Sequence, residues 1–127
     1  MAGIGRIAPE LLLGKLFRLL GADATIFPNY GGRFGFSAAT CRAIAREALK
    51  DDGLRACVPV PAGGMSAARV PEMLDFYGAR VMLLIGGALL EAREHLAQAT
   101  SAFVAQVQRH AYVTETEKPG GRHAQER

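Results

Sequence analysis

The amino-acid sequence predicts an α/β domain built on a parallel sheet. Three short apolar runs are each followed by a segment with helical periodicity, and such alternation is typical of parallel strands joined by right-handed crossovers. The runs are apolar at nearly every position, as strands covered on both faces are. The second and third runs are followed by glycine pairs, Gly63-Gly64 and Gly86-Gly87, which places both pairs at one end of the predicted sheet.

The chain begins with a predicted helix and a predicted strand. Residues 7–20 are rich in leucine, and Pro9 suits a first helical turn. Lys15 and Arg18 are interpreted as the polar, solvated edge of this helix. Residues 24–27 form a short apolar run that predicts a buried strand ending before a proline.

The next segment predicts a loop, a helix and a second strand. Residues 29–36 contain three glycines, three aromatic rings and one cation, and they predict a mobile loop. Ser37 is expected to cap a helix that ends near residue 49. Residues 54–60 are predicted to form the second strand, which leads into Gly63-Gly64.

The last part predicts a short helix, a third strand and a long helix. Residues 70–77 have Pro at the second position and Gly just beyond the end, as short helices often do. Residues 81–85 predict the third strand. Apolar residues at helical spacing predict a helix over about residues 89–110. The polar residues beyond 113 predict a disordered tail at 114–127.

In parallel α/β sheets, ligands bind where strands end and helices begin. Three loops lie at that end, at residues 28–37, 61–66 and 85–88. Besides glycine N–H groups, they carry one cation, one amide and three hydroxyls, from Arg33, Asn29, Tyr30, Ser37 and Ser66. These loops contain no Asp, Glu, His or Cys, so they predict anion binding without metal ligation or general-base chemistry.

The two glycine pairs are the candidate phosphate site. Glycine lets the backbone come close to an anion and point its N–H groups at it, near the start of a following helix. Gly63, Gly64, Gly86 and Gly87 are therefore the candidate phosphate-binding residues. Arg33 is either a solvent-facing loop residue or a cation that closes over an anionic substrate.

The composition narrows the class of protein. The 127 residues suffice for one domain, and the net charge of +3 comes with mixed signs, so no nucleic-acid surface is expected. No apolar run is long enough to cross a membrane, and no signal-peptide pattern is present. Cys41 and Cys57 lack metal-ligand spacing and are expected to be buried free thiols. A cytoplasmic protein fits these features.

Several of these motifs resemble the RuBisCO large chain superfamily, and most closely the RuBisCO-like proteins (form IV). Residues 14–28 are similar to the fifth helix and sixth strand of the catalytic barrel, and residues 30–35 to the mobile loop after strand six. Residues 59–65 resemble the phosphate turn after strand seven, and residues 70–78 the helix that follows it. Residues 81–87 resemble the eighth strand with its phosphate turn.

The resemblance implies strands 6 to 8, with flanking helices, of a (β/α)8 TIM barrel. Residues 1–113 would be this C-terminal part of the barrel domain. A complete barrel takes about 250 residues. The chain is therefore expected to be a C-terminal fragment that needs its missing N-terminal half or a companion chain, and the full-length form is expected to be a homodimer.

Three departures from the family pattern argue against CO2 fixation. Arg33 stands where a carboxylating enzyme has a lysine, Ile26 replaces a histidine, and Ala62 replaces the serine before the first glycine pair. The resemblance instead implies Mg2+-dependent enolisation, isomerisation or decarboxylation of a phosphorylated sugar-like substrate. Arg33 would be the catalytic residue of this chain, and the Mg2+ ligands would lie outside it. The alternative is a non-catalytic half-barrel remnant or anion-binding module that needs a partner.

Overall fold

The computed structural model describes residues 6–116, and side chains as far as residue 111. It confirms the α/β class. Its helices and strands follow in this order: α1 (Glu10–Leu16 in π form, then Phe17–Leu19 in α form), β1 (Ala24–Pro28), α2 (Ala38–Ala48), β2 (Val58–Ala62), α3 (Val70–Tyr77, after a 3-10 turn at Ala67–Arg69), α4 (Gly87–Glu91) and α5 (Leu96–Thr116, after a 3-10 turn at Arg93–His95).

Strands β1 and β2 are parallel and joined by α2, as predicted. Their register pairs Ala24 with Val58 and Pro28 with Ala62. The predicted start of the second strand at residue 54 is wrong by four residues, because the backbone of residues 54–57 is paired elsewhere. The carbonyls of this segment accept hydrogen bonds from Arg18, and its last N–H group donates to the end of α2.

The segment at residues 81–85 lies beside β2 as predicted, but its prediction as a strand is wrong. It makes one isolated parallel bridge, between Leu84 and Ala62. One further backbone hydrogen bond joins the Met82 N–H to the Pro59 carbonyl at 3.1 Å. Two such contacts do not make a continuous ladder.

The prolines of β2 explain why this ladder is incomplete. The Pro59 carbonyl faces residues 81–85, so the odd-numbered residues of β2 present their backbone groups to that side. In this register, the N–H of residue 61 would donate to the carbonyl of Met82. Pro59 and Pro61 have no N–H group, so β2 cannot supply these donors.

Two helix predictions are confirmed with their caps. At the start of α2, the Thr40 N–H donates to the Ser37 hydroxyl at 3.1 Å. Helix α3 ends at Gly78, whose φ of 81° is one that glycine adopts without strain. The first predicted helix forms over residues 10–19, within the predicted limits.

The predicted single helix over residues 89–110 is wrong, because two helices occur there. The helix is interrupted near Arg93, whose φ of 47° is incompatible with a continuous helix. No Gly or Pro marks this break, so the sequence pattern did not reveal it. Helix α5 continues to Thr116, so the boundary predicted at residue 113 falls inside a helix. Residues 117–127 of the predicted tail lie outside the described residues.

Two apolar clusters hold the helices on one face of the sheet. Phe27 of β1 packs with Cys41 and Ile44 of α2. A second cluster joins Met73 of α3 to Phe103 of α5, with Met65 and Val70. The cysteines are buried and free, as predicted, and burial raises the pKa of the Cys57 thiol.

The opposite face of the sheet exposes large apolar side chains. Ile26 is 60% exposed, Met82 53% and Leu84 43%. Thr25 and Phe27, which alternate with Ile26 along β1, are buried. Within the described residues, this strand therefore has one covered and one uncovered face.

The interpretation of Arg18 as a solvated residue is wrong. Its guanidinium is buried and is bound to Asp52 at 2.6 Å. It also donates to four backbone carbonyls at 2.7–3.2 Å, those of Glu47, Lys50, Leu54 and Arg55. Arg18 thus ties the end of α2 to the approach of β2, at the end of the sheet opposite the glycine pairs.

Candidate functional site

A cavity of about 640 Å³ lies between the two glycine pairs, at the end of the sheet where the strands finish. The first glycine turn, Gly63-Gly64, follows β2, and the second glycine turn, Gly86-Gly87, opens α4. Both turns line this space, which we call the glycine cavity. Two pairs recognised from separate stretches of sequence therefore share one cavity.

The first glycine turn needs glycine for its backbone conformation. Gly63 has a φ of 94° and Gly64 a φ of 63°, values that L-residues with a side chain rarely adopt. No atom outside its immediate neighbours lies within 4 Å of a Cβ built on Gly63, so the turn is open at this residue. Gly64 is packed more tightly, because its Cβ would lie 3.3 Å from the Cα of Gly32.

The second glycine turn is open rather than strained. Gly86 has a φ of −138°, which other residues also adopt, and its carbonyl accepts hydrogen bonds from the N–H groups of Leu89 and Leu90. A Cβ on Gly86 or Gly87 would meet no atom within 4 Å. Glycine here leaves space at the start of α4, where N–H groups lack helical partners.

Arg33 lies beside the first glycine turn but not in the glycine cavity. It lines a smaller space of about 240 Å³ with Gly32, Phe34 and the first glycine turn. Its guanidinium lies 5.6 Å from the centre of the Phe34 ring, and both side chains are exposed. The first glycine turn thus separates the only catalytic candidate of the sequence analysis from the second glycine turn.

Most of the other polar groups predicted at this end are already engaged. The Asn29 side chain is buried, where its amide contacts the Met73 sulfur at 3.1 Å and its oxygen accepts from the Tyr77 hydroxyl at 2.7 Å. The Ser37 hydroxyl caps α2. Among the candidates with described side chains, Ser66 makes no side-chain hydrogen bond to the described residues.

Tyr30 is held in its protonated form. Its hydroxyl donates to Glu72 Oε1 at 2.8 Å. Burial, and then this hydrogen bond, raises the pKa of Tyr30 to about 12. Tyr30 is therefore a hydrogen-bond donor rather than a general base at neutral pH.

The sequence analysis missed Arg69, which lies between the two loops. Its guanidinium donates to the Gly64 carbonyl at 3.1 Å and the Tyr30 carbonyl at 3.4 Å. It is also paired with both carboxylate oxygens of Glu72 at 3.2 Å. The spacing of Arg69 and Glu72, three residues apart at the start of a helix, was a signal for the ion pair but not for the backbone contacts.

Glu91 was also missed, and it changes the chemistry of the site. It lies at the end of α4 and lines the glycine cavity. The sequence analysis placed no acidic side chain near the glycine pairs, because Glu91 follows the second pair by four residues and is brought back by one helical turn. The glycine cavity therefore combines backbone donors with one exposed carboxylate.

The described residues contain neither a metal-binding cluster nor a helix suited to span a membrane. No group of three or more His, Cys, Asp or Glu side chains among them is arranged to hold a metal ion. Within residues 6–116, no helix is both long enough and apolar enough to cross a membrane.

Comparison with known proteins gives close relatives but no family model, since none matches the chain. The chain is 60% identical over 111 residues to "Ribulose bisphosphate carboxylase-like protein 1" of Rhodopseudomonas palustris, covering 87% of this chain and 30% of that protein. It is 64% identical over 108 residues to the 5-methylthioribulose-1-phosphate isomerase of Rhodospirillum rubrum, covering 84% and 29%. It is 36% identical over 85 residues to the 2,3-diketo-5-methylthiopentyl-1-phosphate enolase of Geobacillus kaustophilus, covering 65% and 20%.

Solved structures give the same picture. The chain matches the crystal structure of a Rubisco-like protein from Rhodopseudomonas palustris with a TM-score of 0.73 and 52% identity, covering 87% of this chain and 29% of that one. It also matches the fold of a rubisco-like protein (MtnW) from Alicyclobacillus acidocaldarius, with a TM-score of 0.75 at 24% identity, over 89% of this chain and 28% of that one. The chain thus spans about 30% of the length of the first curated relatives that it matches.

Proposed function

Because the chain belongs to the RuBisCO-like proteins, we propose that it supplies the phosphate-binding part of an enzyme that acts on a phosphorylated sugar-like substrate. The observation that carries this proposal is the glycine cavity, which both glycine turns line. In it, N–H groups of Gly63, Gly64, Gly86 and Gly87 would bind the phosphate. Backbone donors at turns and helix starts suit this role because their partial positive charge is fixed in place.

We propose isomerisation as the reaction. The isomerase of Rhodospirillum rubrum is 64% identical to this chain, whereas the curated enolase of Geobacillus kaustophilus is 36% identical. The substrate class would then be a ketose or aldose phosphate such as 5-methylthioribulose 1-phosphate. Carboxylation is not proposed, since Arg33, Ile26 and Ala62 replace the residues expected in a carboxylating enzyme.

Arg33 would act as a fixed positive charge. A guanidinium stays protonated at physiological pH, so it cannot donate or accept a proton as a lysine can. It can stabilise negative charge that develops on a substrate oxygen while the loop closes. Its place beside the first glycine turn, on an exposed part of the loop, supports this role.

No group of three or more ligand side chains occurs among the described residues, and the glycine cavity offers one carboxylate, that of Glu91. We propose that the metal ligands and the general base come from outside these residues, in a longer chain or a companion chain. A homodimeric, cytoplasmic enzyme remains the expectation for the complete protein.

A non-catalytic anion-binding module is the second candidate function. The uncovered sheet face, with Ile26, Met82 and Leu84 exposed, favours it for this chain taken alone. Such a face fits a protein segment that covers it. In this case the glycine cavity would bind phosphate without turnover.

A substrate assay distinguishes the two functions. The protein is tagged at a terminus of the whole gene product in its own host and purified, so that any further sequence or companion chain is retained. We expect turnover of 5-methylthioribulose 1-phosphate and none of 2,3-diketo-5-methylthiopentyl 1-phosphate, followed by phosphorus NMR. Turnover of the diketone alone would replace isomerisation by enolisation, and turnover of neither would favour the binding module.

Replacement of Arg33 tests its catalytic role in the same preparation. Arg33→Ala should lower kcat/KM by about 100-fold, the usual cost of removing one charge-stabilising group. Arg33→Lys keeps the charge but not the planar fork, and should retain about a tenth of the activity. The matched control is Arg55→Ala, because Arg55 is 83% exposed and lies near the opposite end of the sheet. Near-normal kinetics of Arg33→Ala would remove Arg33 from the mechanism.

A further inference from the structure

The guanidinium of Arg69 occupies the space between the loop after β1 and the first glycine turn. The Arg69 side chain is mostly buried, with 21% of its surface exposed. It lies 5.4 Å from the centre of the Tyr30 ring, over which it stacks. Arg69 therefore contacts the loop through a ring and a carbonyl, and the turn through a second carbonyl.

Glu72 completes this arrangement from the first turn of α3. Its carboxylate accepts from Arg69 and from the Tyr30 hydroxyl. Each of the three side chains thus contacts the other two. The negative charge of Glu72 offsets the positive charge of Arg69. Arg69 is therefore suited to hold the loop rather than to bind phosphate itself.

The two loops pack closely at Gly31, Gly32 and Gly64, where an added Cβ would contact Arg69 or the opposite loop. A Cβ on Gly31 would lie 3.3 Å from Arg69 Nη2, and one on Gly64 would lie 3.4 Å from Arg69 Nη1. A Cβ on Gly32 would lie 3.5 Å from the backbone of Gly63. Gly31 and Gly64, with φ values of 75° and 63°, have a conformational reason to be glycine that is separate from phosphate binding.

The loop has two parts that differ in their contacts. The first part, residues 29–32, is anchored: the Asn29 N–H donates to the Ala62 carbonyl at 2.8 Å, and the Asn29 side chain is buried. The second part, residues 33–34, is the exposed tip, with Phe34 85% exposed. At this tip, the Arg33 guanidinium lies 5.6 Å from the centre of the Phe34 ring.

We propose that Arg69 is a positioning residue that fixes residues 29–32 against the first glycine turn. Loop movement is then confined to the tip that carries Arg33. By binding the Gly64 carbonyl, Arg69 also fixes the peptide plane between Gly64 and Met65, and with it the end of the first glycine turn. The anchoring of residues 29–32 does not depend on the proposed phosphate site. The effect of Arg69 on phosphate binding, through the first glycine turn, rests on that proposed function.

Backbone order parameters from nitrogen-15 relaxation test the proposal on the protein without any ligand, purified from its own host so that any further sequence or companion chain is retained. Rigid backbone gives values near 0.85 and flexible backbone values below about 0.6. In the unchanged chain, residues 30–32 and 63–64 should be rigid and residues 33–34 flexible. In Arg69→Met, residues 30–32 and 64 should fall to the values of the tip, while α2 stays rigid.

Two further variants complete the design. Arg55→Met removes an exposed arginine without touching the loop, and its order parameters should match those of the unchanged chain. Glu72→Gln removes the charge partner but keeps its shape, and should loosen residues 30–32 by itself, so it serves where Arg69→Met does not fold. Two results would overturn the proposal. One is that residues 30–32 are as mobile as the tip in the unchanged chain. The other is that they stay rigid in both Arg69→Met and Glu72→Gln.

A titration with inorganic phosphate then tests the link to the site. Arg69→Met should weaken phosphate binding by about tenfold, through the lost ordering of the turn. Absence of phosphate binding in the unchanged chain would contradict the proposed function but not the role of Arg69, which the order parameters decide separately. Unchanged phosphate affinity in a loosened Arg69→Met would overturn the positioning of the turn.

Discussion

Arginine side chains bind backbone carbonyls at both ends of the sheet. Arg18 joins the end of α2 to the approach of β2, and Arg69 joins the β1 loop to the first glycine turn. Each also has a carboxylate partner, Asp52 or Glu72. A guanidinium has five N–H donors in a fixed plane, so one side chain can satisfy several carbonyls of an irregular segment.

Loss of Arg18 should destabilise the whole domain. Arg18→Met keeps much of the side-chain volume but leaves four carbonyls without their donor. We expect the free energy of unfolding to fall by about 3 kcal/mol, measured by urea denaturation. Arg55→Met, which removes an exposed arginine, should change it by less than about 0.5 kcal/mol. A similar change in both variants would contradict the role given to Arg18.

The pH dependence of stability tests the ion pair of Arg18 from the side of its partner, Asp52. The pKa of Asp52 lies below its ordinary value of 3.8, and the hydrogen bond from Arg18 is the largest cause. A lowered folded-state pKa means that the contribution is present above the ordinary pKa and is lost as pH falls through the folded pKa. Asp52→Asn should therefore destabilise the chain at pH 7 and have little effect near pH 2. An equal effect at both pH values would show that the charge of Asp52 does not contribute.

At the scale of elements, the prolines of β2 decide where the sheet stops. Met82 finds the Pro59 carbonyl, but Pro59 and Pro61 offer no N–H in return. The segment at residues 81–85 consequently lies in place without forming a ladder. Its position therefore depends on side-chain packing, in which Leu83 and Ile85 contact the cluster of α3 and α5.

A valine at position 61 should extend the sheet. In Pro61→Val, the new N–H faces the Met82 carbonyl and should show slow hydrogen exchange. The matched control is Pro28→Val, because the even-numbered residues of β1 present their N–H groups to the edge where no strand pairs among residues 6–116. The new amide of this control should exchange at the rate of an exposed residue. Equally fast exchange at both positions would show that proline is not what interrupts the ladder.

The elements that sequence reasoning predicted well are those with local signals. The cap at Ser37 and the end of α3 at Gly78 depend on neighbouring residues alone, and both are found. The roles of Arg18 and Arg69 depend on tertiary contacts, and the break at Arg93 has no Gly or Pro to mark it. The contacts of these two arginines join residues 32 and 39 positions apart, which no local pattern records.

The candidate site was predicted in part for the same reason. The four glycines follow two apolar runs directly, so a parallel sheet brings them to one end, as the shared cavity shows. Glu91 reaches this cavity through one turn of α4, and Arg69 reaches the first glycine turn from the start of α3. Both lie beyond the loops to which the sequence analysis confined its search.

At the scale of the whole molecule, the glycine cavity lies at one end of the sheet and exposed apolar side chains lie on one face of it. The glycine cavity is assembled from described residues alone. The opposite sheet face leaves Ile26, Met82 and Leu84 exposed, and the chain spans about 30% of the length of the first curated relatives that it matches. All four glycines proposed to bind phosphate therefore lie in this chain, where they can be changed one at a time.

A phosphate titration of the nitrogen-15 labelled chain tests the central claim, with Gly63→Ala compared to Gly53→Ala. Both glycines have positive φ, 94° and 84°, and neither has an atom within 4 Å of its Cβ, so the backbone strain of alanine should be similar, about 1–2 kcal/mol. Gly63 lines the glycine cavity and Gly53 does not.

The account predicts that the amides of Gly63, Gly64, Gly86 and Gly87 shift together and saturate with one Kd. Gly63→Ala should weaken phosphate binding at least about tenfold, because its Cβ enters the space that the anion needs, while Gly53→Ala should bind as the unchanged chain does. Scattered shifts without saturation, or equal affinity in the two variants, would contradict the phosphate site.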